Sequence, residues 1–493
     1  MAEFQDQTQP ADGAKQPETS ADQSGGGLNR REFVGGAAAT GVGLGLASMP
    51  RPTWGQTNGK QQTLNIAFVG VGRQGQILMN NALQYIDNIN ILGICDIWAA
   101  KRKYARMVRE GYGHKDCQPF ENVDDMIAKI GDKLDGVFVA VPDIHHATVT
   151  NKLLKAGINT YCEKEMATNL EEAASMVKTA RQTGKLLQIG HQRRSNPYYH
   201  HPLTLMYKDK FAGQITTVHG QWNQIKPLHP VPTRLLSKKY RLPKSLLKEY
   251  GFGDMAGFYF WRWFKELSGG PMADLGSHQV DVYNWFLKSV PNVISAVGNN
   301  KWAVKDAEQR QKDAKSEAKY TPTQLDHTMV TYQYHDTPFG PVNGFYQVVL
   351  SSSTGGFYEQ FLGDKGTLQT AEIQSSAGMF KEKVAEELTW EDQAEKSDKK
   401  EGEGPDYKFN PLKSRKEKGE MDKEAMQTQK TMKLVKKAPH VPHQKNFLEA
   451  IRGNEELNCS AEIGYETAVT ALKSHEAAIT GKTIELSESD YKM

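Results

Sequence analysis

The stretch LNIAFVGVGRQGQILMNNAL, residues 64–83, decides the fold of this chain. It begins with a short apolar run typical of a buried strand, continues through Gly70, Gly72 and Gly75 in the pattern GxGxxG, and ends in a predicted helix. Glycines at these positions permit a tight turn and a close approach of the backbone to a ligand, and the helix N-terminus can stabilise a pyrophosphate. Asp96 follows twenty-one residues after Gly75, at the end of a second strand-like run. This context predicts a dinucleotide-binding site.

The acid at position 96 also indicates which dinucleotide is bound. Asp96 is placed to accept hydrogen bonds from the adenosine ribose hydroxyls, which favours NAD over NADP. Lys101 and Arg102 lie about one helical turn further on, so NADP stays an alternative. The residues expected to contact the nucleotide are those of the glycine turn and the acid after it: Gly70, Gly72, Arg73, Gln74, Gly75 and Asp96.

Downstream of this stretch, strand-like and helix-like segments alternate. LDGVFVAVP at 134–142 is a nearly continuous apolar run, as expected of a parallel strand buried on both faces, and KLLQIGH at 185–191 closes the series. Strands that alternate with helices specify a doubly wound α/β fold, so residues 64–192 are predicted to form a Rossmann NAD(P)-binding domain.

After this domain the pattern changes. HTMVTYQYH at 327–335 and PVNGFYQVVLSS at 341–352 alternate apolar and polar residues with period two, as in an antiparallel sheet with one wet face. We predict an α/β domain with a large open, mainly antiparallel sheet over 193–437, with a solvated Lys- and Glu-rich insertion at 381–437. Amphipathic helices in 438–493 are expected to dock on the core.

Residues 1–55 are not expected to belong to the folded core. Arg30 and Arg31 precede a Gly/Ala-rich run, ending near Ser48, that is too short and too weakly apolar for a stable membrane span. The segment resembles a twin-arginine export signal, and a flexible tail with a chance arginine pair is the alternative. We expect the twin-arginine export machinery to carry the folded protein to the periplasm or another extracytoplasmic space.

Composition excludes several other classes of protein. The formal net charge of +3 provides no general basic field, so no nucleic-acid partner is expected. The four cysteines lie far apart with no CxxC pair, which argues against a zinc knuckle and a disulfide scaffold.

A second polar stretch, GGPMADLGSHQVD at 269–281, contains candidate catalytic residues. Asp274, His278 and Asp281 are spaced by four and three residues, which places them on one face of a helix. Asp274 and His278 could also ligate a metal with help from the histidines at 145–146. Because no HExxH or comparable ligand set is present, we expect no metal.

Several motifs occur in an order that resembles a known family. They are the glycine fingerprint, VPDIHH at 141–146, CEKE at 162–165, GHQRRSNP at 190–197 and GGPMADLGSHQVD. In this order they resemble the glucose–fructose oxidoreductase/inositol dehydrogenase (Gfo/Idh/MocA) family, over about residues 65–484 with the charged insertion excluded. The resemblance implies a Rossmann domain, an α/β domain whose open sheet supports a homo-oligomer, a nicotinamide cofactor and sugar or polyol substrates.

The same resemblance implies roles for individual residues. Lys164 matches the lysine of the family's Glu-Lys-Pro motif, and Glu163 matches its acid. Both are expected near the cofactor, together with Pro142 and His146 of the preceding loop. Glu165 stands where the family usually has proline, and since proline fixes the backbone, this departure puts the placement of Lys164 in doubt.

Asp274 and His278 match the Asp-x-x-x-His pair of that family and suit the oxidation of a secondary alcohol. As hydride leaves, the hydroxyl proton must be taken by a base poised near neutrality, and His278 is the better candidate. Lys164 can lower the pKa of the alcohol and hold the developing alkoxide, Asp274 can orient the substrate or the imidazole, and Asp281 is expected to be structural. We therefore predict an exported NAD(P)-dependent oxidoreductase acting on a sugar or polyol.

Two other functions stay open. Some members of the resembled family use tightly held NAD to oxidise a sugar transiently, so that a glycosidic bond breaks by elimination with no net redox change. Export favours this alternative, because a periplasm offers little free nicotinamide. The other is a binding protein that keeps the fold without catalysis, which Glu165 favours.

Overall fold

Two β-sheets and the helices around them make up the folded part of the chain. The computed structural model describes residues 62–208, 210–316, 318–372, 377–383, 385, 395–397, 405–408 and 430–493. The predicted leader and its export signal lie outside these residues.

The first sheet contains the glycine turn. Its strands are β1 (Leu64–Val69), β2 (Ile89–Cys95), β3 (Gln118–Phe120), β4 (Gly136–Val139), β5 (Asn159–Cys162) and β6 (Leu187–Ile189). All pair in parallel, in the order β3-β2-β1-β4-β5-β6, and every residue of β4 is buried, as expected of a strand covered on both faces. The predicted Rossmann fold is confirmed.

Helices connect these strands. They are α1 (Arg73–Tyr85), α2 (Ala99–Arg102), α3 (Tyr104–Tyr112), α4 (Val123–Ile130), α5 (His146–Lys155) and α6 (Leu170–Thr183). Asn122 and Asn169 start α4 and α6, because their side-chain oxygens accept hydrogen bonds from backbone N–H groups in the first turn.

The second sheet is larger and mixed. Its described strands are β7 (Ile215–Asn223), β8 (Val293–Asn299), β9 (His327–Tyr334), β10 (Val342–Val349), β11 (Phe357–Gly363), β12 (Gly366–Thr370), β13 (Gly378–Lys381), β14 (Glu395–Lys396), β15 (Tyr407–Lys408) and β16 (Ile484–Glu485). They follow the order β14-β15-β13-β12-β11-β7-β10-β9-β8-β16. The central pair β7 and β10 is parallel and the other pairs are antiparallel, so the predicted mainly antiparallel sheet is confirmed.

The charged segment 381–437 is not entirely a solvated insertion. β14 and β15 extend the sheet at its edge, where the buried Tyr407 pairs with Met379. For Tyr407 the expectation of a solvated insertion is wrong, because its side chain packs into the core of the second sheet. A helical segment follows at 430–435.

The remaining helices cover the second sheet and join it to the first. They are α7 (Pro197–Tyr207), α8 (Thr233–Leu236), α9 (Lys244–Glu249), α10 (Met255–Tyr259), α11 (Ser277–Leu287), α12 (Lys301–Asp313), α13 (Val441–Ile451), α14 (Ala461–Thr480) and α15 (Glu488–Tyr491). In α14, Ala468 and Val469 pack into the core beside the first sheet, whereas Ala471 and Ala477 pack into the core of the second. No helix within the described ranges is long and apolar enough to cross a membrane.

A smaller group of apolar side chains forms a separate lobe, defined by residues 228–267 and 303–320. Its core includes Leu235, Leu247 and Phe252. The lobe follows β7 and includes α12, so it extends from the second domain.

Candidate functional site

The predicted cofactor residues lie at the carboxyl ends of the parallel strands. Gly70 follows β1, Asp96 follows β2, Pro142 lies after β4 and Glu163 follows β5. In open α/β sheets ligands bind at this edge, where the strand order reverses. The order reverses between β1 and β4, so the glycine turn and the Pro142 loop border the same crevice.

The glycine turn has the shape of a phosphate cradle. Gly70 has a φ of +80°, and an added Cβ there would lie 2.5 Å from the Ala140 carbonyl oxygen. A Cβ on Gly75 would lie 1.8 Å from the Gly70 carbonyl oxygen, whereas a Cβ on Gly72 would meet nothing within 4 Å. The first N–H groups of α1, which lack partners within the helix, follow directly after this open space. A pyrophosphate therefore fits against Gly72 and the start of α1.

Asp96 ties the glycine turn to the loop after β2. Its Oδ2 accepts a hydrogen bond from Val71 N at 2.9 Å, and its Oδ1 accepts one from Trp98 N at 2.8 Å. Burial raises the pKa of Asp96, while these two amides and the nearby Lys101 and Arg102 lower it. Each carboxylate oxygen keeps a second lone pair, which can accept from a ribose hydroxyl.

The Arg102 guanidinium group forms hydrogen bonds and an ion pair within the protein. It donates to the carbonyl oxygens of Asp96 and Ile97 at 2.9 and 3.0 Å and pairs with Glu121 at 2.6 Å. A 2′-phosphate would have to displace these partners, so the geometry favours NAD over NADP.

His146 braces the loop after β4 against the loop after β5. Its ring nitrogens lie 2.6 Å from the Glu165 carbonyl oxygen and 3.0 Å from that of Val141. Burial lowers the pKa of His146 to about 4, so the ring is neutral and donates to one of the two. His146 therefore positions the loop that carries Pro142, and the contact of both residues with the cofactor stays a prediction.

Glu163 connects the end of β5 to the glycine turn. Its Oε1 accepts a hydrogen bond from Gln74 Nε2 at 3.0 Å. Burial raises the pKa of Glu163, while the Gln74 amide and the Lys164 ammonium lower it. Two residues predicted from separate motifs therefore belong to one site. Arg73, also within the fingerprint, is exposed at the start of α1.

The predicted catalytic lysine bridges the two domains. Lys164 Nζ donates a hydrogen bond to the backbone carbonyl oxygen of Asp274 and lies 3.7 Å from its carboxylate Oδ1. Asp274 belongs to a π-helical turn, Met272–Gly276, and His278 is the second residue of α11, which follows it. Residues more than a hundred positions apart in the chain thus meet where the motifs predicted.

Two further cations hold the Asp274 carboxylate. Lys226 Nζ donates to Oδ2 at 2.9 Å, and Arg262 Nε donates to Oδ1 at 3.0 Å. Burial would raise the pKa of this carboxyl, but Lys226, Arg262 and Lys164 hold it well below its usual range. Within the described chain the carboxylate makes no hydrogen bond to His278, and the prediction that Asp274 orients the substrate or the imidazole stays a prediction.

His278 lies in a buried aromatic environment. Its ring stacks on Trp222, with ring centres 5.9 Å apart, and its Nδ1 has no hydrogen-bond partner among the described residues. Burial, followed by the charges of Lys164 and Arg193, lowers the pKa of His278 well below its usual value. The pKa of His278 is therefore not poised near neutrality as expected, and the imidazole is neutral and able to accept a proton.

Sequence reasoning did not assign three residues of this region. His191 lies 6.4 Å from His278 between ring centres, and neither of its ring nitrogens has a hydrogen-bond partner in the described ranges. Asp143 is buried, which raises its pKa to about 7. His191 lies two positions after the end of β6, Asp143 four positions after the end of β4, and Lys226 three positions after the end of β7. Position after a strand end was the signal that could have found them.

Asp281 has the structural role expected of it. The buried carboxylate accepts hydrogen bonds from Arg194 Nε at 2.8 and 3.0 Å and from Thr467 Oγ1 at 2.9 Å. It therefore fastens α11 to α14 and to the GHQRRSNP segment.

Glu165 does not displace Lys164 from the site. The peptide bond between the two residues is cis, and the Glu165 side chain is fully buried. Its Oε1 accepts a hydrogen bond from Met166 N at 2.6 Å, while its Oε2 has no partner in the part of the chain that the structure describes. Burial raises the pKa of Glu165 to about 8, so the side chain is neutral at pH 7.

The arrangement fits a nicotinamide dinucleotide and provides no evident metal site. The open backbone at Gly72 can hold the phosphates and Asp96 the ribose, which leaves the reactive ring to the loops that carry Pro142 and Lys164. In the described residues, no group of three His, Cys, Asp or Glu side chains is arranged to hold a metal ion.

Two protein-family models match the chain. One, described as an oxidoreductase family with an NAD-binding Rossmann fold, matches residues 64–191. The other, the C-terminal alpha/beta domain of the same oxidoreductase family, matches residues 253–486. Together they match well over half of the chain.

Several curated proteins are similar to parts of the chain. The rhizopine catabolism protein MocA of Rhizobium meliloti is 24% identical over 46% of this chain and 58% of that protein. The D-glucoside 3-dehydrogenase of Escherichia coli is 25% identical over 45% of this chain and 54% of that protein. A glycosyl hydrolase family 109 protein of Stenotrophomonas maltophilia is 24% identical over 32% of this chain and 34% of that protein. The chain thus spans about half the length, or less, of these relatives.

Solved structures share the fold. The scyllo-inositol dehydrogenase of Lactobacillus casei, solved with bound cofactor NAD(H) and scyllo-inositol, is 19% identical. It superposes with a TM-score of 0.55 over 86% of this chain and 99% of that one. This likeness concerns the Rossmann domain and the α/β domain joined to it.

Proposed function

The chain belongs to the Gfo/Idh/MocA oxidoreductase family, and on this premise we propose that it transfers a hydride between a secondary alcohol of a sugar or polyol and NAD. The observation that carries the proposal is the hydrogen bond from Lys164 to the Asp274 carbonyl oxygen. It joins the nucleotide domain to the start of the helix that bears His278, so a substrate between them would meet both a cation and a neutral imidazole.

Each residue then has a defined task. The bound nicotinamide supplies the acceptor for the hydride that leaves the alcohol carbon. His278 takes the hydroxyl proton, and the alcohol becomes a carbonyl. Because burial makes His278 a weak base, Lys164 is needed to stabilise the alkoxide and lower the pKa of the alcohol.

The test is turnover with a panel of sugars and polyols, followed by the absorbance of the reduced cofactor. His278→Ala should lower kcat by about 10²- to 10⁴-fold while nucleotide affinity stays near that of the unmodified protein. His335→Ala, which removes an exposed histidine, is the matched control. Near-normal turnover of His278→Ala would contradict the proposed base, and loss of folding or bound nucleotide would indicate a structural role.

For the cofactor, Asp96→Ser should weaken NAD binding far more than NADP binding, since it removes the proposed acceptor for the ribose hydroxyls. Isothermal titration with each nucleotide measures this. An equal loss for both would contradict the assignment of Asp96.

A second candidate is glycoside cleavage through transient oxidation by NAD that stays bound. The observation that favours it is the contact of the lobe with the nucleotide domain. Trp98 Nε1 donates a hydrogen bond to the Tyr240 carbonyl oxygen at 2.8 Å. A ring nitrogen of His145 lies 3.0 Å from the Tyr250 carbonyl oxygen. These loops follow β2 and β4, so the lobe would hinder departure of a nucleotide.

Retained nucleotide and released product distinguish the candidates. Mass spectrometry of the purified protein shows whether NAD remains bound, and glycosides with a chromogenic aglycone report cleavage. Cleavage without net cofactor reduction would favour transient oxidation over net redox turnover. Absence of both reactions with a broad panel would favour the non-catalytic binding protein, for which Glu165 is the supporting sequence feature.

Export remains part of the proposal and is supported by the Arg30-Arg31 pair and the apolar run after it. Arg30→Lys with Arg31→Lys should leave the protein in the cytoplasm. Fractionation of cells that express each form measures this, and unchanged delivery would rule out the twin-arginine route.

We also propose a homo-oligomer that uses the second sheet. Val297 and Met329 are paired on β8 and β9, and both side chains are exposed. Met329→Glu should shift the protein towards monomer in analytical ultracentrifugation, because it would place a charge in the proposed contact. A monomeric unmodified protein would contradict this proposal.

A further inference from the structure

The solvent side of the candidate site carries two cations with unused hydrogen-bonding capacity. Lys226 and Arg262 each donate a hydrogen bond to the Asp274 carboxylate. Within the described residues, the terminal nitrogens of Arg262 and the other N–H groups of the Lys226 ammonium donate none. The Arg262 and Lys226 side chains are 49% and 31% exposed, whereas that of Lys164 is 13% exposed.

The acids of the site lie on its buried side. Asp143 and Glu163 are 4% and 6% exposed. The Asp274 carboxylate already has both oxygens bonded to the two cations. A ligand that enters from solvent therefore meets N–H donors of Lys226 and Arg262 before it meets an uncompensated carboxylate.

The Asp274 carboxylate positions both cationic side chains, and further contacts hold the residues that carry them. The Lys226 backbone N–H donates to the Leu350 carbonyl oxygen at 2.9 Å. The Arg262 guanidinium carbon lies 4.1 Å from the ring centre of Trp261, and Ser268 Oγ donates to the Arg262 carbonyl oxygen at 3.1 Å. A ligand would gain charge-assisted hydrogen bonds here at little cost in ordering the protein.

We propose that the substrate carries an anionic substituent, a carboxylate or a phosphate, which Lys226 and Arg262 bind while Lys164 and His278 act on a hydroxyl of the same molecule. This inference rests on the proposed oxidoreductase function and narrows its substrate class to acidic sugars. The planar fork of Arg262 matches a pair of anionic oxygens, and the ammonium of Lys226 adds a point charge.

Matched pairs of sugars test the charge preference. D-glucuronate is compared with D-glucuronamide, and glucose 6-phosphate with glucose, on the full chain saturated with NAD. Both kcat/KM and the binding constant from isothermal titration are measured. The anionic member should be favoured by at least about tenfold, the value of one charge-assisted hydrogen bond.

Variants connect this preference to the two cations. Lys226→Gln and Arg262→Gln should each lower the anionic-to-neutral ratio by about tenfold. Lys265→Gln is the matched control, because Lys265 is 63% exposed and pairs with Glu266 at 4.0 Å. Arg262→Lys keeps the charge without the fork and should retain part of the preference, and circular dichroism checks the fold of each variant.

The outcomes separate this inference from the proposed function. A ratio near one in the unmodified protein, or one unchanged by both glutamine variants, overturns the inference, and the oxidoreductase stands if a neutral sugar reduces NAD. If no sugar is oxidised although NAD is bound, the proposed function fails. The inference is then decided by the ratio of the binding constants of the anionic and the neutral sugars. A preference confined to one pair identifies the substituent as carboxylate or phosphate.

Discussion

Two carboxyl groups flank Lys164, and they are in opposite charge states. Asp274 lies 3.7 Å from the lysine ammonium, and its pKa is held well below the usual range. Glu165, the next residue in the chain, has a pKa raised to about 8 and is neutral at pH 7.

Burial does not explain this difference, since water is largely excluded from both groups. Asp274 is surrounded by Lys226, Arg262 and Lys164, whereas the carboxyl of Glu165 receives one backbone hydrogen bond and keeps an oxygen without a partner among the described residues. A carboxylate removed from water stays ionised only where cations or several donors replace the solvent. The number of cations in contact therefore decides which acid is the anion of this site.

The largest expected effect comes from removing Lys164, the cation that contacts Asp274. Lys164→Met should lower kcat by about 10²- to 10³-fold, because the developing alkoxide loses its electrostatic partner. Asp274 should stay ionised, because Lys226 and Arg262 still donate hydrogen bonds to its carboxylate. The affinity for the nucleotide should be nearly unchanged. Steady-state kinetics and nucleotide titration measure both quantities. Lys178→Met, at an exposed position of α6, is the control, and near-normal kcat for Lys164→Met would refute the assigned role.

A smaller effect is expected when the anion itself is neutralised. Asp274→Asn leaves the backbone carbonyl that binds Lys164 in place but removes the charge that holds the three cations together. We expect a loss of about tenfold in kcat/KM, comparable to one charge-assisted hydrogen bond. A loss as large as that of Lys164→Met would mean that Asp274 acts on the reacting atoms rather than through its cations.

The smallest effect on turnover is expected when Glu165, the protonated acid, is replaced. Glu165→Gln keeps the size and neutrality of the side chain, so kcat at pH 7 should change by less than about twofold. Stability should respond instead. The folded protein keeps Glu165 protonated up to about pH 8, while the unfolded chain ionises near pH 4.5, so the stabilisation is complete below 4.5 and is lost as pH rises towards 8.

The glutamine side chain cannot ionise, so the Glu165→Gln variant does not lose this stability as the pH rises. Its free energy of unfolding should therefore rise relative to that of the unmodified protein between pH 4.5 and about 8, by at most about 1.4 kcal/mol per pH unit. Denaturant titrations across this range measure the difference. Glu171→Gln, at an exposed position in the first turn of α6, is the matched control. Parallel stability curves for Glu165→Gln and the unmodified protein would show that Glu165 is ionised in the fold.

The parts of the site that could be predicted carry local signals. The Gly70–Gly75 turn and Asp96 lie within one strand–helix–strand unit, so spacing along the chain specifies their spacing in space. Asp274 and His278 share one helical face, and a matched motif related them to Lys164. Lys226 and His191 are marked only by their positions after strand ends, and these strands belong to different sheets, so spacing along the chain does not bring the two residues together.

The sequence by itself determined the two-domain α/β architecture and the nucleotide cradle, because hydrophobic periodicity and glycine placement act over a few residues. Only the tertiary structure decided the chemical state of the site. It brought three cations to Asp274, left Glu165 without one, and held His278 neutral among buried rings. These properties depend on solvent exclusion and on charges from distant parts of the chain, and pattern along the sequence contains neither.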